Sequence, residues 1–383
     1  MNVTEEVRLA RAYLVGVAEP PAPALVAFVE QHGPVEAAAR VRRGNVPEVV
    51  ATETGARRER DRAMSDLRTA EALGARLLVP EDDDWPAMAF LAYSYCGHEH
   101  LAAPLALWAR GPARLAEIVE RSVAIVGARA ASGYGNYVAT ELGFGVVQQG
   151  CTVISGAAYG IDGSAHRGAL AAEGVTVAVL ACGLDRCYPA GHARLLERIA
   201  VDGLLLSEYP PGARPGRHRF LVRNRIIAGL ASGTVVVEAG WRSGSRRTAS
   251  DAALLGRPVM AVPGSVTSAL SVGCHRLLRE PGTVLVTRSE EVIEAIGHIG
   301  ADLAPALPGP LVARATDGLS DRVLRVHEAF TRREPTTLAT LSVESGLPVE
   351  LVRAALAELE QRGLVERTTG GWRRTKQTRR GGA

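Results

Sequence analysis

From Ser122 onward the chain alternates continuous apolar runs with helix-length segments; the runs are SVAIVG, CTVIS, VTVAVLAC, GLLLSE, TVVVEA, PVMAVPG and TVLV. A strand with one wet face alternates polar and apolar residues, whereas an unbroken Val/Ile/Leu run is covered on both faces. Repeated strand-helix units of this kind predict an α/β fold, a doubly wound parallel sheet with right-handed crossovers, ending near Ile296. Nearly every run ends in Gly, Ser or a charged residue, at Gly127, Ser155-Gly156, Gly183, Ser207-Glu208, Glu238 and Gly264. In open parallel sheets the ligand crevice lies outside the carboxyl ends of the strands, so the functional site is expected on that edge.

The flanking regions read differently. Residues 1–56 are short helices broken by Pro20, Pro21, Pro23 and Gly33-Pro34, a small helical module. Residues 57–120 form a connecting segment packed on the core, with a charged helix-like stretch at Arg57–Glu71 and a strand at Arg76–Val79. The sheet domain spans 121–298, and 299–318 is an Ala/Pro/Gly linker. In 319–383, helices at Asp321–Thr331, Leu338–Ser345 and Pro348–Arg362 followed by a hairpin in LVERTTGGWRRT give the order of a winged helix. Its third helix buries Val349, Val352, Leu356 and Leu359 and turns Glu350, Arg353, Glu358, Glu360 and Gln361 outward. That mainly acidic face repels duplex phosphate. DNA contact then falls to the basic tail, Arg367, Arg373, Arg374, Lys376, Arg379 and Arg380, and a protein-docking module is an equal reading.

A chain of 383 residues with 47% hydrophobic content predicts two to four folded domains. The net charge is only +3, but the positive charge is almost all arginine, since Lys376 is the sole lysine. A planar bidentate donor suits phosphate and stacks on bases; GC-rich coding is the alternative source of the bias. No run reaches the roughly 18 apolar residues of a membrane span, and the opening MNVTEEVRLA is acidic where a signal peptide is basic, so a cytoplasmic protein is expected. Cys96, Cys151, Cys182, Cys187 and Cys274 form no C-x-x-C pair and read as free thiols. A zinc site at Cys182, Cys187 and nearby histidines is the weaker alternative, so neither metal nor cofactor is expected.

Three stretches carry candidate chemistry. Gly127, Ala128, Arg129, Ser132, Gly133 and Gly135 form a glycine-rich turn into a helix, suited to receiving a phosphate but matching neither G-x-G-x-x-G nor a Walker motif. The next turn holds Ser155, Gly156, Asp162 and His166; these mimic a hydrolase triad, yet no G-x-S-x-G elbow is present and catalysis is not expected. Between Glu208 and Asp251 the only acid is Glu238, while Arg214, Arg217, Arg219, Arg223, Arg225, Arg242, Arg246 and Arg247 crowd the segment around Phe220. Cations interleaved with aromatics suit single-stranded nucleic acid, whose bases stack on rings. In the competing reading Phe220 caps the core under the helix LVRNRIIAGLA. Asn224, Ser243, Gly244, Ser245 and Thr248 fall on the same edge and complete an anion site without nucleophile or metal cage.

VAIVGAR, VISGAAYGIDGSAHRGAL, AVLACGLDRCYP, LLSEYPPG, FLVRNRIIAGL, VVVEAGWRSGS and MAVPGS resemble, in order and spacing, the motif series of the DprA/Smf family. The resemblance implies an extended Rossmann-like domain, a helical N-terminal module of SAM or helix-hairpin-helix type and a C-terminal winged helix. It also implies a non-enzymatic single-stranded-DNA binder that dimerises and loads the RecA recombinase while displacing single-strand-binding protein, in DNA uptake or recombination. By position, Arg129, Phe220, Arg223, Asn224 and Arg225 match DNA-contacting residues, extended here by Arg217, Arg219, Arg246 and Arg247. Gly127, Ser132, Ser155, Gly156, Asp162, His166, Glu238, Ser243, Gly244, Ser245 and Thr248 are the expected pocket-shaping residues. The chain departs from the family at Ala128 (usually Ser), Tyr159 (basic), Leu221 (Pro) and Arg246 (Leu-type), which shifts the basic path. The alternative is a nucleotide-binding or phosphoribohydrolase-type enzyme on the same fold; those enzymes carry P-G-G-x-G-T and a catalytic Glu, both missing from Arg242–Asp251.

Overall fold

The computed structural model describes residues 3–297, 302–305, 315–330 and 334–375. It divides into two compact units, Met1–Pro305 and Ala306–Ala383. The first is built on a nine-stranded sheet. Its strands are β1 (Ala75–Leu78), β2 (Leu107–Arg110), β3 (Ser122–Val126), β4 (Thr152–Ser155), β5 (Thr176–Leu180), β6 (Leu204–Ser207), β7 (Gly233–Val236), β8 (Val259–Ala261) and β9 (Thr283–Leu285). They lie in the order β1-β2-β6-β5-β4-β3-β7-β8-β9. All seven apolar runs became parallel strands, β3 to β9.

Alternate residues of one strand enter different cores, as a doubly covered sheet requires. Val123 and Ile125 pack with Leu142, Val146 and Ile161 on one face, while Ala124 and Val126 pack with Ile226, Ile227, Ala249 and Phe90 on the other. β1 and β2 fall inside the 57–120 segment and extend the sheet antiparallel beyond β6. β1 is legible in the sequence but β2 is not, because LWAR is a four-residue strand in irregular surroundings with too little pattern to register. The Arg57–Glu71 stretch is a turn followed by a helix at Ala63–Ala72. N-terminal helices Glu5–Val17, Pro23–His32 and Pro34–Arg43 place Tyr13, Leu14, Leu25 and Val41 in a core shared with Leu180, Ile199 and Leu205 of the sheet region. No helix among the described residues is long and apolar enough to cross a membrane.

The second unit holds helices Asp321–Glu328, Leu338–Ser345 and Val349–Gln361 and the hairpin β10 (Val365–Thr368) and β11 (Gly371–Arg374), a winged helix. Val352, Leu356 and Leu359 are buried as expected, but Val349 is 38% exposed because it opens the helix before the first full turn reaches the core. Arg373 pairs with Glu366 across the hairpin, and Arg374 hydrogen-bonds the His327 ring at 3.1 Å. Lys376, Arg379, Arg380, Thr331 and most of the 299–318 linker lie outside the described residues.

Candidate nucleic-acid interface

The chain leaves β3 toward β4, β5 and β6 on one side and returns to β7, β8 and β9 on the other. Connections from β3 and β7 therefore diverge, and the gap at their carboxyl ends is the topological switch point. A crevice of about 780 Å³ opens there, lined by Gly127–Arg129 after β3, Ala158 and Asp162 after β4, Tyr188, the start of helix Arg217–Leu230, and Gly240, Arg242–Ser245 and Thr248 after β7.

The floor is a buried polar network. Arg223 donates through Nη1 to the carbonyls of Gly156 (2.8 Å) and Val179, an approach so close that a side chain at position 156 would displace the guanidinium. Burial pushes its guanidinium down to about 10, opposed by the nearby Asp162 carboxylate. Asp162 accepts from the amides of Gly156 (3.2 Å) and Ala158 (3.4 Å), and burial raises its pKa against the pull of Arg223. The other members of the triad mimic point elsewhere. Ser155 Oγ donates to the Ile125 carbonyl at 2.6 Å, while fully buried His166 contacts Thr176 Oγ1 at 2.8 Å and is pushed down to about 3 by burial. No proton relay joins the three.

The glycine-rich turn after β3 is organised around an internal anion. Ser132 caps helix Gly133–Gln148, accepting from the Gly135 amide at 3.0 Å. The buried Glu238 carboxylate accepts from Ser132 Oγ (2.6 Å) and the Ser132 amide (2.9 Å) and presses on Gly135, where a side chain would displace it. Ala128 N donates to the Glu238 carbonyl at 2.7 Å. The helix N-terminus expected to receive phosphate thus already holds a carboxylate. Glu238 ties the β3 and β7 edges of the crevice together.

The rim carries exposed charge. Arg129, Arg217 and Arg242 are exposed and line the opening, and Phe220 stands between them only partly buried. The Arg129 guanidinium lies 4.8 Å from the Phe220 ring centre, and the Tyr188 ring lies at 5.3 Å. Phe220 belongs to none of the hydrophobic cores, so it does not cap one. Asn224 Nδ2 reaches the Gly244 carbonyl at 3.4 Å, Ser243 and Ser245 share a hydrogen bond of 2.7 Å, and buried Thr248 completes that wall.

Four other expected cations are not directed at the crevice. Arg225 turns into the protein, its side chain 2% exposed, and donates through Nη2 to both Glu208 oxygens at 2.6 and 2.7 Å. Arg219 is held by Glu19 at 2.7 and 2.9 Å over the Tyr209 ring, and Arg247 pairs with Asp251 at 2.8 Å. Arg246 donates to the Trp241 carbonyl at 3.1 Å. Tyr188 and Arg242 were not singled out as contacts in the sequence; Arg242 was legible within the arginine-rich stretch, whereas Tyr188 reaches Phe220 only through the β5–β6 connection. Cys182 is buried and Cys187 exposed, and no described set of three His, Cys, Asp or Glu is placed to hold a metal ion.

A family model described as DNA recombination-mediator protein A matches residues 76–297, and one described as DprA winged helix domain matches 310–371. The chain is 53% identical over 369 residues to DprA of Mycobacterium tuberculosis, covering 94% of this chain and 93% of that protein. It is 37% identical over 257 residues to the protein Smf of Escherichia coli, 66% of this chain and 68% of that one. The X-ray structure of DNA processing protein A from Streptococcus pneumoniae superposes with a TM-score of 0.61 at 30% identity, covering 76% of this chain and 98% of that one.

Proposed function

Because the chain belongs to the DNA recombination-mediator protein A family of DprA and Smf proteins, we propose that its switch-point crevice binds single-stranded DNA and that the protein hands the strand to RecA. The observation that carries this reading is the rim itself, with exposed Arg129, Arg217 and Arg242 around the partly buried Phe220. Guanidinium groups neutralise phosphates and release counterions, while a ring beside them offers a stacking face to any base. A duplex hides its bases and gains only the first term.

Arg223, Asp162, Asn224 and Thr248 shape the floor, and Glu238 with Ser132 holds the Arg129 turn in register. Arg225 acts from the interior by fixing the helix that carries Phe220. The reading includes a cytoplasmic homodimer that displaces single-strand-binding protein and performs no chemistry on DNA. Support for the last point comes from the separated Ser155, Asp162 and His166 and from Asp251, which is 1% exposed and committed to Arg247 and His100. The test is an electrophoretic mobility assay with equal-length single and double strands at two salt concentrations, for the parent protein and Arg129→Ala. Preference for the single strand, weakened by the substitution, is expected; preference for duplex overturns the reading.

A further inference from the structure

A second groove, of about 350 Å³, lies between the N-terminal module and the loop Pro210–Gly216. It meets the crevice at Pro215 and Gly216, which line both. Resting on the crevice reading above, we infer that this groove is a phosphate track that carries the single strand onward from the crevice across the N-terminal module.

The charges decide its chemistry. Five arginines line the groove, Arg57, Arg60, Arg62, Arg214 and Arg219, against Asp66 alone among carboxylates. Glu19 stands behind it and is already shared by Arg57 (2.6 Å), Arg219 (2.7 Å) and His218 (3.0 Å). The exposed Arg62 lies 3.2 Å from Asp66 and 4.0 Å from the place a side chain would take on Gly212, and exposed Glu59 leans on Arg58 at 3.5 Å. Arg60 and Arg214 are exposed, and neither side chain has an ion-pair or hydrogen-bond partner among the described residues. With arginine counted against Glu19 and Asp66, three positive charges remain over. They lie beside the crevice cations, where a Debye length of roughly 8–10 Å leaves them acting together on one polyanion.

Continuity favours a nucleic-acid backbone over an acidic protein segment. Arg217 lines the crevice, whereas its neighbours His218 and Arg219 line the groove, so a backbone leaving Arg217 over Gly216 meets Arg214 next. Of the two rings that line the groove, Tyr209 is buried beneath the Arg219 guanidinium at 4.6 Å and His218 is tied through Nε2 to Glu19 at 3.0 Å, so neither is a free stacking platform. Such a surface holds phosphates without reading bases.

The experiment measures fluorescence anisotropy of oligothymidylates of graded length over a salt series, for the parent, for Arg60→Ala/Arg214→Ala and for Arg129→Ala. On strands long enough to span both sites, the double variant lowers the slope of log affinity against log salt by about 1.4, two phosphate contacts at about 0.7 each. The shortest strand that binds is unaffected, while Arg129→Ala weakens every length. Equal effects of the double variant at all lengths, or none on long strands, overturn the groove while the Arg129→Ala result still upholds the crevice. If Arg129→Ala changes nothing at any length, the crevice reading itself fails. Loss of binding to a polyglutamate peptide with long-strand affinity intact assigns the groove to a protein and also overturns the inference.

Discussion

Replacing Arg225 by methionine separates an interior strut from a DNA contact. The Arg225 side chain is 2% and that of Glu208 6% exposed, with two hydrogen bonds of 2.6 and 2.7 Å between them. Removing one member of a buried pair strands the other charge in the interior and costs about 3–5 kcal/mol. That is a large part of a total stability of about 5–15 kcal/mol, so Arg225→Met is expected to unfold at clearly lower urea. Arg225 Nε and Nη1 find no hydrogen-bond partner among the described residues, which limits what the pair contributes when intact. The double variant Arg225→Met/Glu208→Leu is therefore expected to regain most of the loss, since apolar replacement of a buried pair is often neutral or stabilising. The coupling is read from a double-mutant cycle of urea midpoints. In the same samples, under conditions where Arg225→Met is still folded, the salt slope for single-stranded DNA stays at the parent value. Parent-like stability together with a slope lowered by about 0.7 refutes the interior assignment and returns Arg225 to the DNA path.

Phe220→Ala is expected to weaken single-strand affinity by roughly 1–3 kcal/mol with the salt slope unchanged, because stacking displaces no counterion; a fall in melting temperature large enough to explain the loss restores the core-cap reading. Glu238→Gln keeps the shape but removes the charge facing the Ser132 amide and hydroxyl, and is expected to loosen the Arg129 turn and weaken strand binding, whereas an unchanged affinity shows that Glu238 does not position that turn. His166, held down to about 3 by burial, stays neutral in the folded protein while the unfolded chain takes up a proton below about 6.5. Stability is thus lost as pH falls from about 6.5 toward 3, and His166→Asn is expected to flatten that limb in urea midpoints measured at pH 7 and 5; an unaltered limb counts against the buried neutral ring. A chain ending at Gly318 is expected to fold and bind single strands, as judged by thermal melting and mobility shift, since the sheet unit closes its core without the winged helix.

The sequence by itself determined the sheet. Runs such as SVAIVG and VTVAVLAC are apolar without interruption, a pattern that survives only in strands covered on both faces, and each one is a strand of the structure. It also put the arginine-rich stretch and the glycine turns on one edge, because they fall after the carboxyl ends of those strands. It did not determine which arginines reach that edge. Helix Arg217–Leu230 starts with RHRFLVRNR, where arginines occupy every side and few apolar residues mark an inner face. Tertiary packing chose the orientation that brings Arg217, Phe220 and Asn224, at i, i+3 and i+7, to the crevice and sends Arg219 and Arg225 elsewhere. The acids that neutralise those two come from other parts of the chain, Glu208 at the end of β6 and Glu19 from 200 residues away. Equally, Glu238 reads as one acid among arginines until β7 is placed beside β3, where its carboxylate meets the Ser132 turn 106 residues earlier. Local pattern fixes a strand because the burden of burial falls on its own residues, whereas the direction of a charge depends on partners that only the folded chain brings near.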